Sequence, residues 1–199
     1  MGQARLWWRM MESAFLAVKF GEALGYEAYV GTGTEEQRRR WGAVHAAVGL
    51  TGGQRGLLGG FTRRMHVLTV SGVWCGDCVE QVPMLDHIEQ ASGGKVVHRL
   101  VDRDLHKDLS GGLTVCGGDR VPVVVVMSED FDFCALLGDR SLSRYRAKAE
   151  RELGAACATG LVVPAGEELA ATLADWVDEM ERVQLMLRLS PRYRKKYGD

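Results

Sequence analysis

The sequence predicts an α/β fold in which a central sheet, covered by helices on both faces, lies between helical segments at the two ends of the chain. Strand-like and helix-like runs alternate from about residue 65 onward, which is the pattern of a layered α/β domain. The run VPVVVVM at 121–127 is almost entirely apolar, as expected of a strand buried on both faces. Before residue 65 and after residue 165, apolar residues recur at helical spacing.

The first 64 residues are predicted to be helical. An apolar stripe at helical spacing indicates a first helix. It contains Leu6, Met10, Ala14 and Val18, and it is widened by Trp7, Met11 and Phe15. The stretch TEEQRRRW opens a second helix, with Thr34 as its N-cap and Gln37 completing a capping box. Thr51 is expected to cap a third helix, although the glycines that follow it are poor helix formers.

The middle of the chain supplies the sheet. The predicted order is strand, helix, strand, helix, strand, strand and helix, from the segments HVLTVSG, CVEQVPMLDHIEQASG, KVVHRLVD, DLHKDLSGGL, VPVVVVM, FCALLGD and SLSRYRAKAEREL. A last helix is expected over roughly 166–189, where Pro191 follows as a normal stop. The basic tail RYRKKYGD is interpreted as a solvated terminus.

These elements divide the chain into three predicted segments: an N-terminal helical extension at 1–64, the sheet-containing domain at 65–160 and a C-terminal helical extension at 161–199. The net charge is −1, so no global field favours nucleic acid or an anionic membrane. No apolar run approaches the ~20 residues of a membrane span, and the N-terminus lacks the features of a secretory signal. We therefore expect a soluble, cytoplasmic protein.

Two of the five cysteines, Cys75 and Cys78, are separated by two residues. They follow a predicted strand and open a predicted helix, whose N-terminus stabilises a thiolate on the first cysteine. A redox couple, half of a zinc site and a purely structural pair are the three interpretations of such spacing. Zinc needs a second ligand pair, and the other cysteines are isolated: Cys116, Cys134 and Cys157. The redox couple is the interpretation we favour.

The segment WCGDC, preceded by VLTVSGV, resembles the active-site motif of the thioredoxin family, normally Trp-Cys-Gly-Pro-Cys. In thioredoxin-like proteins a cis-proline opens a core strand and faces the two cysteines, and Pro122 occupies that place here. The resemblance covers about residues 65–157 and is to the branch that carries Trp-Cys-Gly-Asp-Cys, with helical additions at both ends. It implies a thioredoxin-like fold with a central mixed sheet flanked by helices.

The resemblance also implies roles for individual residues. Cys75 would be the nucleophile and Cys78 the resolving thiol, while Trp74 would shape the exposed rim of the site. Val121 and Pro122 would present backbone to an extended substrate segment. No metal is implied at this site.

The implied activity is thiol–disulfide exchange, in which protein disulfides are reduced through a mixed disulfide on Cys75, as part of cell redox homeostasis. No bound cofactor is expected, only an electron donor such as a thioredoxin reductase system. An alternative is a redox-responsive protein-binding module of the same fold with little or no general reductase turnover. The sequence predicts neither a nucleic-acid nor a membrane partner, and it leaves the oligomeric state open.

The sequence departs from the family pattern at two places. Asp77 replaces the usual proline, and its carboxylate should disfavour a thiolate on Cys75 by like-charge repulsion. Thr69 holds the place of a buried aspartate, so we hypothesise that His98, in the next strand, takes over some proton transfer. Arg120, two residues before the expected cis-proline, is predicted to pair with Asp77 and to cancel its charge.

Overall fold

The computed structural model describes residues 11–153 and 167–198. Leu6, Trp7, Met10 and Cys157 lie outside the described residues. The helices are α1 Ser13–Glu22, α2 Tyr26–Gly31, α3 Glu35–Ala47, α4 Gly52–Gly59, α5 Gly76–Ala91, α6 Lys107–Ser110, α7 Leu142–Leu153, α8 Glu168–Leu189 and α9 Pro191–Tyr197. The strands are β1 Met65–Ser71, β2 Val96–Asp102, β3 Val123–Met127 and β4 Phe133–Leu137.

The four strands form one mixed sheet in the order β2-β1-β3-β4. Strand β1 runs parallel to β2 and antiparallel to β3, and β3 runs antiparallel to β4. The fold class predicted from the sequence is therefore confirmed. Val70 pairs with Val123, so the last residues of β1 and the first residues of β3 lie side by side at one end of the strands. This register brings the residues that follow β1 close to those that precede β3.

Helices cover both faces of this sheet. Val124 and Val126 of β3 pack into a cluster with α4, α5, α8 and α9, whereas Val123 and Val125 pack into a second cluster with α1, α2 and α3. Alternate residues of a strand point to opposite faces, and all five residues of β3 are buried. The continuous apolar run in the sequence thus has the cause that we predicted.

The predicted caps of α3 and α4 are both present. Gln37 N–H donates to Thr34 Oγ1 at 3.3 Å, and Thr34 N–H donates to Gln37 Oε1 at 2.8 Å. Thr51 and Gln54 form the same reciprocal pair in front of α4. A cap of this kind is worth about 1 kcal/mol, and Leu58 of α4 is fully buried. Capping and packing together offset the poor helix propensity of the glycines.

The predicted apolar stripe of the first helix is right for Met11 and Phe15, which face the core, and wrong for Ala14 and Val18, which are exposed. Val18 is 57% exposed, whereas Leu16 and the stem of Lys19 are buried. The ammonium group of Lys19 lies 2.7 Å from a carboxylate oxygen of Asp108, so the aliphatic stem can be buried while the charge stays paired.

The basic tail is a helix that packs through Tyr193, while its other described residues are exposed, as the prediction of a solvated terminus requires. Pro191 is the first residue of α9, a position where the missing N–H of proline costs nothing. Tyr193 is buried and its hydroxyl donates to Ser128 Oγ at 2.7 Å. Lys196 pairs with Asp130 at 2.6 Å. Arg192 and Lys196 of the tail thus form ion pairs with Asp132 and Asp130, in and next to the turn between β3 and β4.

The edge strand β2 is met by the N-terminal part of the chain. Leu24 N–H donates to the carbonyl of Leu100 at 2.9 Å, and Leu100 N–H donates back at 2.8 Å. Arg99 Nη1 donates to the carbonyl of His98 at 2.8 Å.

The helical segments at both ends share their cores with the sheet, and the division into three segments stays a prediction. Within 11–153 and 167–198, no helix has the length and apolarity needed to cross a membrane.

Candidate redox site

Cys75 and Cys78 lie where β1 passes into α5. Cys75 is the N-cap residue of α5, with extended backbone, and Cys78 lies in the first turn of the helix. Cys75 is half-buried, Cys78 is fully buried, and both are free thiols. Trp41 of α3 holds the preceding loop, because its indole N–H donates to the carbonyl of Val73 at 2.8 Å.

The two thiols have opposite acidities. A hydrogen bond from the Cys78 thiol, helped by the backbone N–H groups of Asp77 and Cys78, lowers the pKa of Cys75 to about 6, against the effects of burial and of the Asp77 carboxylate. Burial, together with the neighbouring Cys75, raises the pKa of Cys78 well above its usual value. The accessible sulfur is therefore a thiolate at neutral pH and the buried sulfur is its proton-bearing neighbour.

The segment before β3 faces the thiol pair. The Val121–Pro122 peptide bond is cis, as the resemblance implies. Cys75 Sγ lies 3.4 Å from the carbonyl oxygen of Val121, to which the thiol form donates. The register between β1 and β3 explains this approach, because both segments leave the sheet at the same edge.

Trp74, the predicted rim residue, lies next to the thiol pair and lines a groove with Cys75. Its side chain is 45% exposed, and the guanidinium of Arg103 lies 4.7 Å from the indole centroid. The ring packs so closely over Gly72 that a Cβ there would come within 2.7 Å of Trp74 Cε2, so this position requires glycine. Beside the rim is an open groove of about 260 Å³, lined in part by Cys75, Arg120, Val121 and Arg140.

The predicted pair between Arg120 and Asp77 is wrong. Arg140 Nε donates to Asp77 Oδ1 at 2.8 Å, and Arg120 Nη1 instead donates to Asp139 Oδ2 at 3.1 Å. The cause is the antiparallel register of β3 and β4, which carries the turn after β4 to the site. The charge of Asp77 does have a cationic partner, but it comes from a different element of the fold.

Sequence reasoning also missed the residue that attaches this turn to α5. Gln81 is fully buried in α5; its amide donates to the carbonyl of Asp139 at 2.9 Å and accepts from Ser141 N–H at 3.0 Å. A polar residue among apolar neighbours, VEQVPML, was the available signal, since a buried amide needs partners. The fixed turn then places Arg140 beside Asp77.

Thr69 and His98 bond to each other inside the protein. Both are fully buried, and Thr69 Oγ1 and His98 Nε2 are 2.8 Å apart. Burial, with a smaller contribution from the charge of Arg99, lowers the pKa of His98 to about 3. Because this imidazole stays neutral far below neutral pH, the geometry argues against the hypothesis that it takes over proton transfer.

The remaining described cysteines lie apart from the pair. Cys116 is exposed in the loop before β3, with φ at 51°. Cys134 is half-buried, and burial raises its pKa to about 11. Across the described ranges, no group of three or more His, Cys, Asp or Glu residues could hold a metal ion. The zinc interpretation therefore lacks a ligand set in that part of the chain.

The fold and the site define a class: an α/β protein with a dithiol pair at a helix N-terminus, opposite a cis-proline. A family model described as thioredoxin matches residues 23–144, more than half of the chain. The chain therefore belongs to the thioredoxin family. The match begins at residue 23, so it includes α2, α3 and α4, which the sequence analysis assigned to an N-terminal extension.

Two solved structures share this fold. One is a protein of unknown function from Pseudomonas aeruginosa, with 19% identity and a TM-score of 0.66; the match covers 83% of this chain and 96% of that chain. The other is an HIV epitope scaffold, with 18% identity and a TM-score of 0.61, covering 80% of this chain and 96% of that chain. At such identities the likeness concerns the fold alone. No curated protein matches the chain.

Proposed function

We propose that the protein is a thiol–disulfide oxidoreductase that reduces protein disulfides through Cys75 and Cys78. The observation that carries this proposal is the contrast between the two thiols. Cys75 is accessible, and its pKa of about 6 lies below neutral pH, whereas Cys78 is buried and keeps its proton. At pH 7 a thiol with that pKa is about nine-tenths thiolate, compared with about 1% at the usual value of 9.0.

The reaction has two exchange steps. The Cys75 thiolate attacks one sulfur of the substrate disulfide, the substrate S–S bond breaks, and the departing sulfur takes up a proton. Cys78 then loses its proton and attacks Cys75 Sγ, so that the mixed disulfide breaks and the second substrate sulfur leaves as a thiol. The substrate gains two electrons, and Cys75 and Cys78 become a disulfide.

A dithiol electron donor must then reduce the pair, and a thioredoxin reductase system is the donor class that we propose. The substrate segment would lie extended along Val121 and Pro122, next to the rim formed by Trp74. The position of the Val121 carbonyl, 3.4 Å from Cys75 Sγ, supports this path because backbone at that distance meets whatever segment reaches the sulfur.

The test is the reduction of a model protein disulfide by dithiothreitol, with and without the protein. We expect acceleration by the wild type, loss of it in Cys75→Ser, and its retention in Cys116→Ser, which changes an exposed cysteine outside the groove. If a disulfide forms between Cys75 and Cys78 but no acceleration occurs, the reductase proposal is wrong and the redox-responsive binding module is supported. If no such disulfide forms, both are wrong.

A further inference from the structure

Two buried hydroxyl groups lie beneath the thiol pair without hydrogen-bond partners. Ser71, the last residue of β1, is fully buried, and Tyr29 of α2 is 2% exposed. Within the part of the chain that the structure describes, neither Ser71 Oγ nor Tyr29 Oη makes a hydrogen bond of ordinary geometry. Buried polar atoms nearly always have a hydrogen-bond partner, so two neighbouring hydroxyls without one need a physical explanation.

These hydroxyls lie beside the resolving cysteine: Tyr29 and Cys78 belong to the same buried cluster, and Ser71 ends the strand that leads into the loop before the cysteines. The Ser71 side chain is near enough to the Cys78 thiol and to the Tyr29 phenol to lower the pKa of both. Among the neighbouring charges, that of Cys78 raises the pKa of Tyr29 most, followed by those of Asp102, at the end of β2, and Cys75. The two hydroxyls thus form a short row from the buried sulfur of Cys78 to helix α2.

We infer that Ser71 and Tyr29 stabilise the thiolate of Cys78 at the moment when Cys78 resolves the mixed disulfide. Ser71 touches the reacting sulfur and donates a hydrogen bond to it as the negative charge forms. Tyr29 acts through Ser71 and is a positioning residue, because its phenol fixes the serine hydroxyl. The inference rests on the proposed function, since it concerns the second step of the exchange.

The need for such donors follows from the surroundings of Cys78. Its deprotonation is opposed by burial and by Cys75. Thr69 and His98 are already bonded to each other, and His98 is neutral. The Asp77 carboxylate acts on Cys75 and is paired with Arg140. The backbone N–H of Gly72 also lowers the pKa of Cys78, and Ser71 and Tyr29 add hydroxyl groups that can offer the sulfur hydrogen bonds.

The step balances without a further reactant. The proton that Cys78 gives up is matched by the one that the departing substrate sulfur takes up. The bond between Cys78 Sγ and Cys75 Sγ forms, and the bond between Cys75 Sγ and the substrate sulfur breaks, with its electron pair on the substrate. The hydroxyls of Ser71 and Tyr29 keep their own protons and supply only hydrogen bonds.

Helix α2 offers a matched control. Tyr26 is on the same helix, and its hydroxyl oxygen is also buried without a hydrogen-bond partner in the described chain. The charge that acts on Tyr26 is that of Asp86, not that of the cysteines. Tyr26→Phe therefore removes a buried phenol from the same helix on which no cysteine charge acts.

The experiment follows the two exchange steps separately by stopped flow, with dithiobis(nitrobenzoate) as the disulfide. All proteins carry Cys116→Ser, which removes an exposed thiol. The first release of nitrothiobenzoate reports the attack by Cys75. The second reports resolution by Cys78 and is identified by its absence in Cys78→Ser.

We expect Tyr29→Phe and Ser71→Ala to slow the second release about tenfold at neutral pH, corresponding to about 1.4 kcal/mol, and to leave the first unchanged. The difference should shrink as the pH rises toward the pKa of Cys78, because the variants raise that pKa. Tyr26→Phe should resolve at the wild-type rate.

Several outcomes would overturn the inference. If Tyr29→Phe and Ser71→Ala match Tyr26→Phe at every pH, the hydroxyls do not act on Cys78, although the proposed function stands if the wild type turns over. A slowing by the same factor at every pH indicates lost packing instead. Should Tyr29→Phe unfold, as judged by circular dichroism, Ser71→Ala alone decides. If the wild type shows no second release, the proposed function fails as well.

Discussion

The acidity of Cys75 can be tested by removing its largest cause. The Cys78 thiol donates the hydrogen bond that contributes most to the lowered pKa of Cys75, and Cys78→Ala deletes that donor. A hydrogen bond to a charged group is worth about 1.5–3 kcal/mol, which corresponds to about one to two pKa units. We therefore expect the pKa of Cys75 to rise from about 6 to about 7 or 8 in this variant.

The assay is the rate of alkylation of Cys75 by iodoacetamide as a function of pH, read by mass spectrometry of the Cys75 peptide. At pH 6 the wild-type thiol is about half ionised, whereas a pKa of 7 to 8 leaves about 10% to 1% thiolate. The rate at pH 6 should fall about five- to fiftyfold and should recover above pH 9. Cys78→Ser keeps a hydroxyl donor and should stay near the wild-type midpoint.

The reasoning is refuted if Cys78→Ala titrates like the wild type, near pH 6. The backbone N–H groups at the start of α5 would then be sufficient to stabilise the thiolate, and the buried thiol would have no part in it. A midpoint in Cys78→Ser as high as that in Cys78→Ala would likewise show that packing around position 78, rather than a donated proton, sets the acidity of Cys75.

Two further perturbations follow from the contacts described. Arg140→Met should raise the pKa of Cys75 by less than about one unit, because it removes the nearer guanidinium from Asp77 and leaves Arg144 at 3.8 Å. Arg120→Met should leave the pKa of Cys75 unchanged, and the same alkylation profile separates the two variants. Trp176→Ala should lower the free energy of unfolding by about 3–5 kcal/mol, since the indole is 3% exposed in the core of α8, and urea denaturation measures this loss.

Specific outcomes would contradict the predictions for the arginine variants and for Trp176→Ala. A larger shift in Arg120→Met than in Arg140→Met would restore the pairing that the sequence suggested. A loss of less than about 1 kcal/mol in Trp176→Ala, the range of ordinary surface substitutions, would mean that α8 contributes little to the core of the sheet.

The strands and the caps were predictable because their signals are local. An apolar run such as 121–127 is continuous only where both faces are covered, and a Thr-x-x-Gln box satisfies backbone groups within one turn. The position of Pro122 opposite the cysteines followed from the resemblance. The strands and the caps are decided by residues close together in the sequence, whereas the place of Pro122 depends on the register of β1 with β3.

The electrostatic partners of the site could not be predicted in the same way. Arg140 reaches Asp77 because of the antiparallel register of β3 with β4, and nothing in the local sequence fixes that register. Val18 was placed in the wrong phase because α1 carries apolar residues on more than one side, and the choice between them depends on its neighbours. Tyr29 lies on a six-residue helix, too short to show a periodicity.

The contact of Leu24 with Leu100 protects the sheet against pairing with a strand of another copy of the protein. Strand β2 lies at the border of the sheet, and an open border invites a strand from another molecule to add to it. Here Leu24 occupies both backbone groups of Leu100, and the guanidinium of Arg99 occupies the carbonyl of His98. The chain thereby occupies three backbone groups of its own border, both of those of Leu100 and the carbonyl of His98, so that a strand from another copy cannot pair with them.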